Sequence, residues 1–176
     1  IFEVTNHLNA LVNSNIKLHN VALSNEQVQA EFYIPIVDGR LEVQLGSLEK
    51  RNAPFEKRVV HVNTLDSYHY DDVDLIKIDV EGHELAVIEG AVDTILRCKP
   101  HLIIEIEQRH ISKPIDEIFD FILQQGYDGF FLSNGSLNPL SKFSYSVNQE
   151  PYLDEVSQKL YVNNFIFKPI SESYNV

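Results

Sequence analysis

Asp79, Glu81, His83 and Glu84 place four ionisable groups within six residues, directly after the run Leu75-Ile76-Lys77-Ile78. That run reads as a short strand ending at Asp79, and the residues from Glu84 onward read as a helix, so the four groups occupy a strand-to-helix turn. A second cluster follows Leu102-Ile103-Ile104, where Glu105 interrupts an apolar run and Glu107, Gln108, Arg109 and His110 come after it. A carboxylate on a buried strand must be paired, hydrogen-bonded or neutralised. Lys77 interrupts the other strand in the same manner, so a Lys77–Glu105 ion pair is the plain structural expectation. The chemical expectation is that Asp79 and Glu105 project from neighbouring strand ends into one cleft, with His83 and His110 beside them. Such a set can do general acid–base work, because an imidazole titrates near neutral pH. Asp79, Glu81, His83 and Glu105 could also ligate a divalent metal through oxygen and nitrogen. Their spacing matches no dedicated metal motif, so a metal is not favoured. Glu81 and Glu84 would in addition suit the positive end of the following helix.

The elements that must hold these groups follow from periodicity. Residues 73–80 and 101–106 read as short strands covered on both faces, which implies a parallel sheet wrapped by helices. Leu85, Ile88, Val92 and Ile95 recur at helical spacing and predict one helix over 84–97. Ser112 is expected to cap the next helix, with Pro114 in its first turn. Ile115, Ile118, Phe119, Ile122 and Leu123 would face inward, and Gly126 would end that helix. Strands are expected at 16–23, 30–34, 58–65, 127–132 and 160–167, with a turn at Asn134-Gly135. The two late strands suggest an antiparallel edge on a mostly parallel sheet. Residues 1–3 read as the end of a strand and 6–13 as a short helix. Residues 38–57 are polar and broken by Gly39, Gly46 and Pro54, and read as a surface loop insertion.

Composition limits the function classes. The chain has 176 residues, 44% of them hydrophobic and 23% charged, as in one ordinary globular domain. Its formal net charge of −12 argues against broad contact with a nucleic-acid backbone or an anionic membrane surface. No apolar run reaches the length needed to span a bilayer, and no signal peptide is visible. The single cysteine, Cys98, excludes an internal disulfide and fits a reducing, cytoplasmic setting. No glycine-rich phosphate loop and no serine or cysteine nucleophile motif is present. From the residues alone an enzyme, a non-catalytic or metal-binding α/β module, and a metal-dependent hydrolase all stay open.

Thr64-Leu65-Asp66, the stretch Asp74-Leu75-Ile76-Lys77-Ile78-Asp79-Val80-Glu81-Gly82-His83-Glu84, Glu89-Gly90-Ala91, and Pro100 with Ile104-Glu105 together resemble the FkbM-type S-adenosylmethionine-dependent methyltransferases. Asn20-Val21-Ala22-Leu23-Ser24, Gly126-Tyr127-Asp128-Gly129-Phe130-Phe131-Leu132 and Tyr161-Val162-Asn163-Asn164-Phe165-Ile166-Phe167 extend the likeness over nearly the whole chain. The resemblance implies a Rossmann-like three-layer sandwich and O-methylation of a hydroxyl on a sugar, glycan or natural product. It implies that Glu3 binds the cofactor ribose, that Asn20, Ala22 and Leu23 lie by the adenine, and that Asp79 faces the transferred methyl group. On that reading Asp79 or His83 takes the acceptor's proton, while Glu81, Glu105 and His110 orient the acceptor. The resemblance also implies that the family's first strand and its cofactor loop would precede Ile1. The domain would then be partial, with a gap in its sheet, and this chain is expected to bind the cofactor poorly unaided.

Overall fold

The computed structural model describes residues 16–50 and 54–170. The expected strand end at 1–3, the helix at 6–13 and Glu3 lie outside the described residues. The chain runs β1 (Ala22–Leu23), β2 (Val28–Val37), β3 (Arg40–Leu41), β4 (Phe55–Asn63), β5 (Leu75–Ile78), α1 (Glu84–Glu89), α2 (Val92–Cys98), β6 (His101–Glu105), α3 (Ile115–Gln124), β7 (Tyr127–Ser133), β8 (Ser136–Pro139), α4 (Tyr145–Asn148) and β9 (Asn164–Pro169), with short 3-10 turns between. This is a mixed α/β fold with two sheets, ordered β1-β4-β2-β3 and β5-β6-β9-β7-β8.

Only β1/β4 and β5/β6 pair in parallel among the described residues; every other pairing is antiparallel. The expectation of a mostly parallel sheet is therefore corrected. The two late strands, β7 and β9, do pair antiparallel as expected, but β9 is not the outermost strand. It inserts antiparallel between β6 and β7, so β5, β6 and β7 all point one way. Phe165 and Phe167 are fully buried there, which places β9 at the centre of the core. Their rings pack with Phe119 of α3, at 4.8 Å and 6.3 Å between centroids. β8 forms the edge opposite β5 and is joined to β7 by Asn134-Gly135, where both residues take positive φ as a tight hairpin requires.

The helix expected over 84–97 is broken in two at Gly90-Ala91. Glycine is required at the break, since a Cβ on Gly90 would stand 2.0 Å from the Ser24 carbonyl oxygen, and the Gly90 carbonyl accepts from the Asp66 amide at 3.0 Å. The second half is restarted by a distant residue. The Asp66 carboxylate accepts from the Asp93 and Thr94 amides at 3.0 and 2.8 Å and from the Thr94 hydroxyl at 2.7 Å. This satisfies N–H groups that a helix start leaves unpaired. Ser112 does not cap α3 with its side chain. Pro114 stands at that position, and the Ile115 amide donates to Gln108 Oε1 at 2.7 Å instead. Leu123 lies at the surface of α3 rather than inside. Of the expected strand at 16–23, only Ala22–Leu23 is strand.

The segment read as a surface loop is partly ordered structure. It holds β3, a 3-10 turn at Val43–Leu45 and the start of β4. Ser47 is buried and donates to the Glu81 carbonyl at 3.0 Å, so this segment is docked against the turn that carries the ionisable cluster.

Candidate functional site

β5 and β6 run in parallel with Ile78 opposite Ile104, so their carboxyl ends fall side by side. Asp79 and Glu105 follow at those ends. Between them sits Lys77, whose Nζ lies 3.5 Å from Asp79 Oδ2 and 3.9 Å from Glu105 Oε2. The Lys77–Glu105 pair read from the sequence is thus present, but at an open rim, and it includes Asp79. Glu105 Oε1 also accepts from the Asn163 amide at 2.7 Å. Burial pushes the Glu105 carboxyl above its ordinary value and the neighbouring Asp79 charge adds to this, against the pull of Lys77.

The turn after β5 is shaped for close approach. Glu81 has φ +57° and Gly82 φ +98°, and a Cβ on Gly82 would stand 2.5 Å from the His110 carbonyl oxygen. Glycine is required there, while Glu81 holds a left-handed conformation that costs on the order of 1 kcal/mol and tends to mark functional turns. Glu81 Oε2 lies 3.0 Å from His110 Nδ1. Glu84 is buried; its Oε1 accepts the Gly82 amide at 2.8 Å, while its Oε2 has no hydrogen-bond partner among the described residues. Burial raises the Glu84 carboxyl above its usual value.

Asp79, Glu81, Glu84, Glu105, Glu107 and His110 line one acidic crevice, too tight to admit a water molecule. Of the residues singled out in the sequence, the structure brings Asp79, Glu81, Glu105 and His110 together there. His83 turns away from this cleft. Its Nδ1 lies 2.7 Å from Glu49 Oε1 and its Nε2 2.8 Å from Ser24 Oγ, so both ring nitrogens are engaged and the imidazole ties three segments together. Glu107 is held differently again. Arg109 Nε donates to it at 2.5 Å and the Tyr161 hydroxyl also donates to it. Although burial opposes ionisation, these bonds outweigh it and keep the carboxyl below its ordinary value. Tyr161 is pushed up by burial and by the same contact.

A cavity of about 670 Å³ opens between β1 and β5, each an edge strand of its sheet among the described residues. Val21, Ala22 and Leu23 form one side, residues 75–79 the other, with Tyr70 and His83 among the remaining walls. Ala22, Leu23 and Asp79, the cofactor positions implied by the resemblance, all line it. Asn20 does not; it lines a neighbouring hollow that shares Val21, Ala22 and Phe32 with this one. On the far side of the Gly82-His83 turn lies a third hollow of about 410 Å³, bounded by His83, His110, Leu85, Ala86, Ile111 and Lys113 among others.

Sequence reading missed Ser24, Glu49 and Gln149. Gln149 is fully buried, donates to the Ile106 and Val162 carbonyls at 2.8 Å each, and accepts the Gln108 amide at 2.9 Å, fixing the segment after β6. No local pattern marks these residues, since their partners stand 13–59 positions away in sequence. Among the described residues no group of three or more His, Cys, Asp or Glu side chains is placed to hold a metal ion, and no helix is long and apolar enough to cross a membrane.

The sequence profile described as the Methyltransferase FkbM domain matches residues 2–128. A solved structure described as methyltransferase FkbM from Methylobacillus flagellatus KT superposes with a TM-score of 0.53 at 17% identity. The match covers 93% of this chain and 32% of that one, so the chain spans about a third of that protein's length. No curated protein matches. With the profile spanning more than half of the residues, the chain belongs to the FkbM methyltransferase domain family.

Proposed function

We propose that the β5/β6 rim belongs to an S-adenosylmethionine-dependent O-methyltransferase acting on a hydroxyl of a sugar, glycan or natural product. The observation that carries this reading is continuity: Asp79 lines both the 670 Å³ cavity and the acidic cleft. The cavity volume falls in the range of small-ligand sites, which are about 300–1,000 Å³. Its apolar walls at Val21, Ala22, Leu23 and Val73 suit a flat heteroaromatic base, and the carboxylates at its end suit a positive centre. When bound, S-adenosylmethionine supplies an activated methyl group on a sulfonium.

The chain's own residues would then do three things. Ala22, Leu23 and Asp79 would hold the cofactor, while Glu81 and His110 face the acceptor from the cleft. Asp79 and Glu105 are the candidate proton acceptors. Glu105 is the better placed in basicity, because burial and the Asp79 charge raise its affinity for a proton; general base help of this kind contributes about 100- to 10,000-fold. Lys77, held by both carboxylates, fixes their separation. His83, with both nitrogens engaged, holds the turn and is displaced from the role of base.

The test is Asp79→Asn in a form of the protein competent for methyl transfer. Turnover is expected to fall at least about 100-fold, far more than the cofactor affinity read by calorimetry. Unchanged turnover removes Asp79 from the reacting centre.

A further inference from the structure

The carboxyl end of β6 is tied to the segment that leads into β9. The Ile106 amide donates to the Asn163 carbonyl at 2.8 Å, and Glu105 stands opposite Asn164 in the antiparallel register. This pairing brings the Asn163 side chain against the Glu105 carboxylate, with Nδ2 2.7 Å from Oε1. The orientation of the amide is set from its other side, where Oδ1 accepts from Asn164 Nδ2 at 2.9 Å. Turning it round would set oxygen against oxygen at Glu105 and donor against donor at Asn164.

The two oxygens of Glu105 are therefore unequal. Oε1 accepts from a fixed donor, while Oε2 is met by the Lys77 ammonium at 3.9 Å, beyond hydrogen-bond distance. A proton on Oε1 would face the Asn163 N–H, two donors in one contact, and the hydrogen bond would be lost. A proton on Oε2 leaves that bond in place, because the carbonyl oxygen of a neutral carboxyl still accepts. We infer that Asn163 is a positioning residue: it fixes the orientation of the Glu105 carboxylate and makes Oε2 the oxygen that takes up a proton. A donor on a carboxylate also favours its charged form. Asn163 thus works against the burial and the Asp79 charge that raise Glu105, and keeps its basicity below what those two alone would give. That the proton comes from a methyl acceptor rests on the reading above; the orientation of Glu105 does not.

The test uses the full chain without cofactor. NMR follows the Glu105 side-chain carboxyl carbon through a pH titration, with the signal identified by its loss in Glu105→Gln. Asn163→Leu removes the donor and is expected to move the Glu105 midpoint up by about one pH unit. Asn163→Asp keeps the shape but adds a second negative charge, and should move the midpoint further. In the parent, the Asn163 side-chain amide proton should keep its hydrogen-bonded shift on both sides of the Glu105 titration. A midpoint unchanged or lowered in both variants overturns the proposal. An amide proton that returns to the free-amide position once Glu105 is protonated also overturns it, because the proton would then sit on Oε1. The amide reading comes from the native chain, so it decides the matter even where neither variant folds. In a form competent for methyl transfer, the acid limb of the turnover profile should rise with the midpoint in Asn163→Leu. A midpoint that moves while this limb stays in place supports the positioning role and removes Glu105 as the base of the function above.

Discussion

Glu105 and Glu107 stand two residues apart on one segment and lead opposite lives. Glu107 is clamped by Arg109 and Tyr161, its side chain 6% exposed, with its charged form favoured. Glu105 is 27% exposed, shares Lys77 with Asp79, and has its charged form disfavoured. Residue type does not separate a clamped carboxylate from an open one; the completeness of its partners does. The closed end of the rim is fully partnered, while the open end keeps a carboxylate whose charged form is disfavoured.

The largest effect that would sharpen this contrast is on stability. Glu107→Ala strands the Arg109 guanidinium and the Tyr161 hydroxyl, and should cost about 3 kcal/mol in urea unfolding. A loss below about 0.5 kcal/mol, the range of ordinary surface changes, breaks the comparison at its closed end.

The pH dependence comes next, and the two kinds of carboxylate oppose each other. Glu107 has a lowered folded value, so its contribution is present above the ordinary carboxylate range and is lost as pH falls through the folded value. Glu84 has a raised folded value, so the protein loses stability as pH rises from the ordinary carboxylate value through the raised one. Glu84→Gln should therefore melt a few degrees higher relative to the parent at about pH 7 than at about pH 4. A melting difference independent of pH would show that Glu84 titrates alike in the folded and unfolded chains, against the raised value.

The smallest effect is expected at the His83 tie. Glu49 is half exposed, so Glu49→Gln should cost at most about 1 kcal/mol by thermal melt. A larger loss would mean that the docked 38–50 segment depends on this contact.

The rim was legible because its signals are local. A strand ending at Asp79, a turn with Gly82 and a second strand ending at Glu105 declare themselves by periodicity and by polar residues in apolar runs. What was not legible depends on partners remote in sequence. The glycine at the helix break is required by the Ser24 carbonyl, and the restart is held by Asp66. The central place of β9 follows from Phe165 and Phe167 packing on Phe119, which strand propensity alone cannot reveal. His83 looked like a base because its neighbours were acidic, but its ring faces Glu49 and Ser24, 34 and 59 positions away. The polar 38–57 segment reads as solvent-facing because a contact that docks it, Ser47 to Glu81, spans 34 positions.

The most direct measurement pairs Glu105→Gln with Glu107→Gln and reads turnover and unfolding free energy for both. A crossing pattern is expected. Glu105→Gln should lose at least about tenfold in turnover while folding as stably as the parent within about 0.5 kcal/mol. Glu107→Gln should lose stability first and, where folded, retain turnover within about threefold. If both variants lose activity and stability in proportion, the rim has no open and closed ends, and the assignment of its chemistry to Asp79 and Glu105 is contradicted.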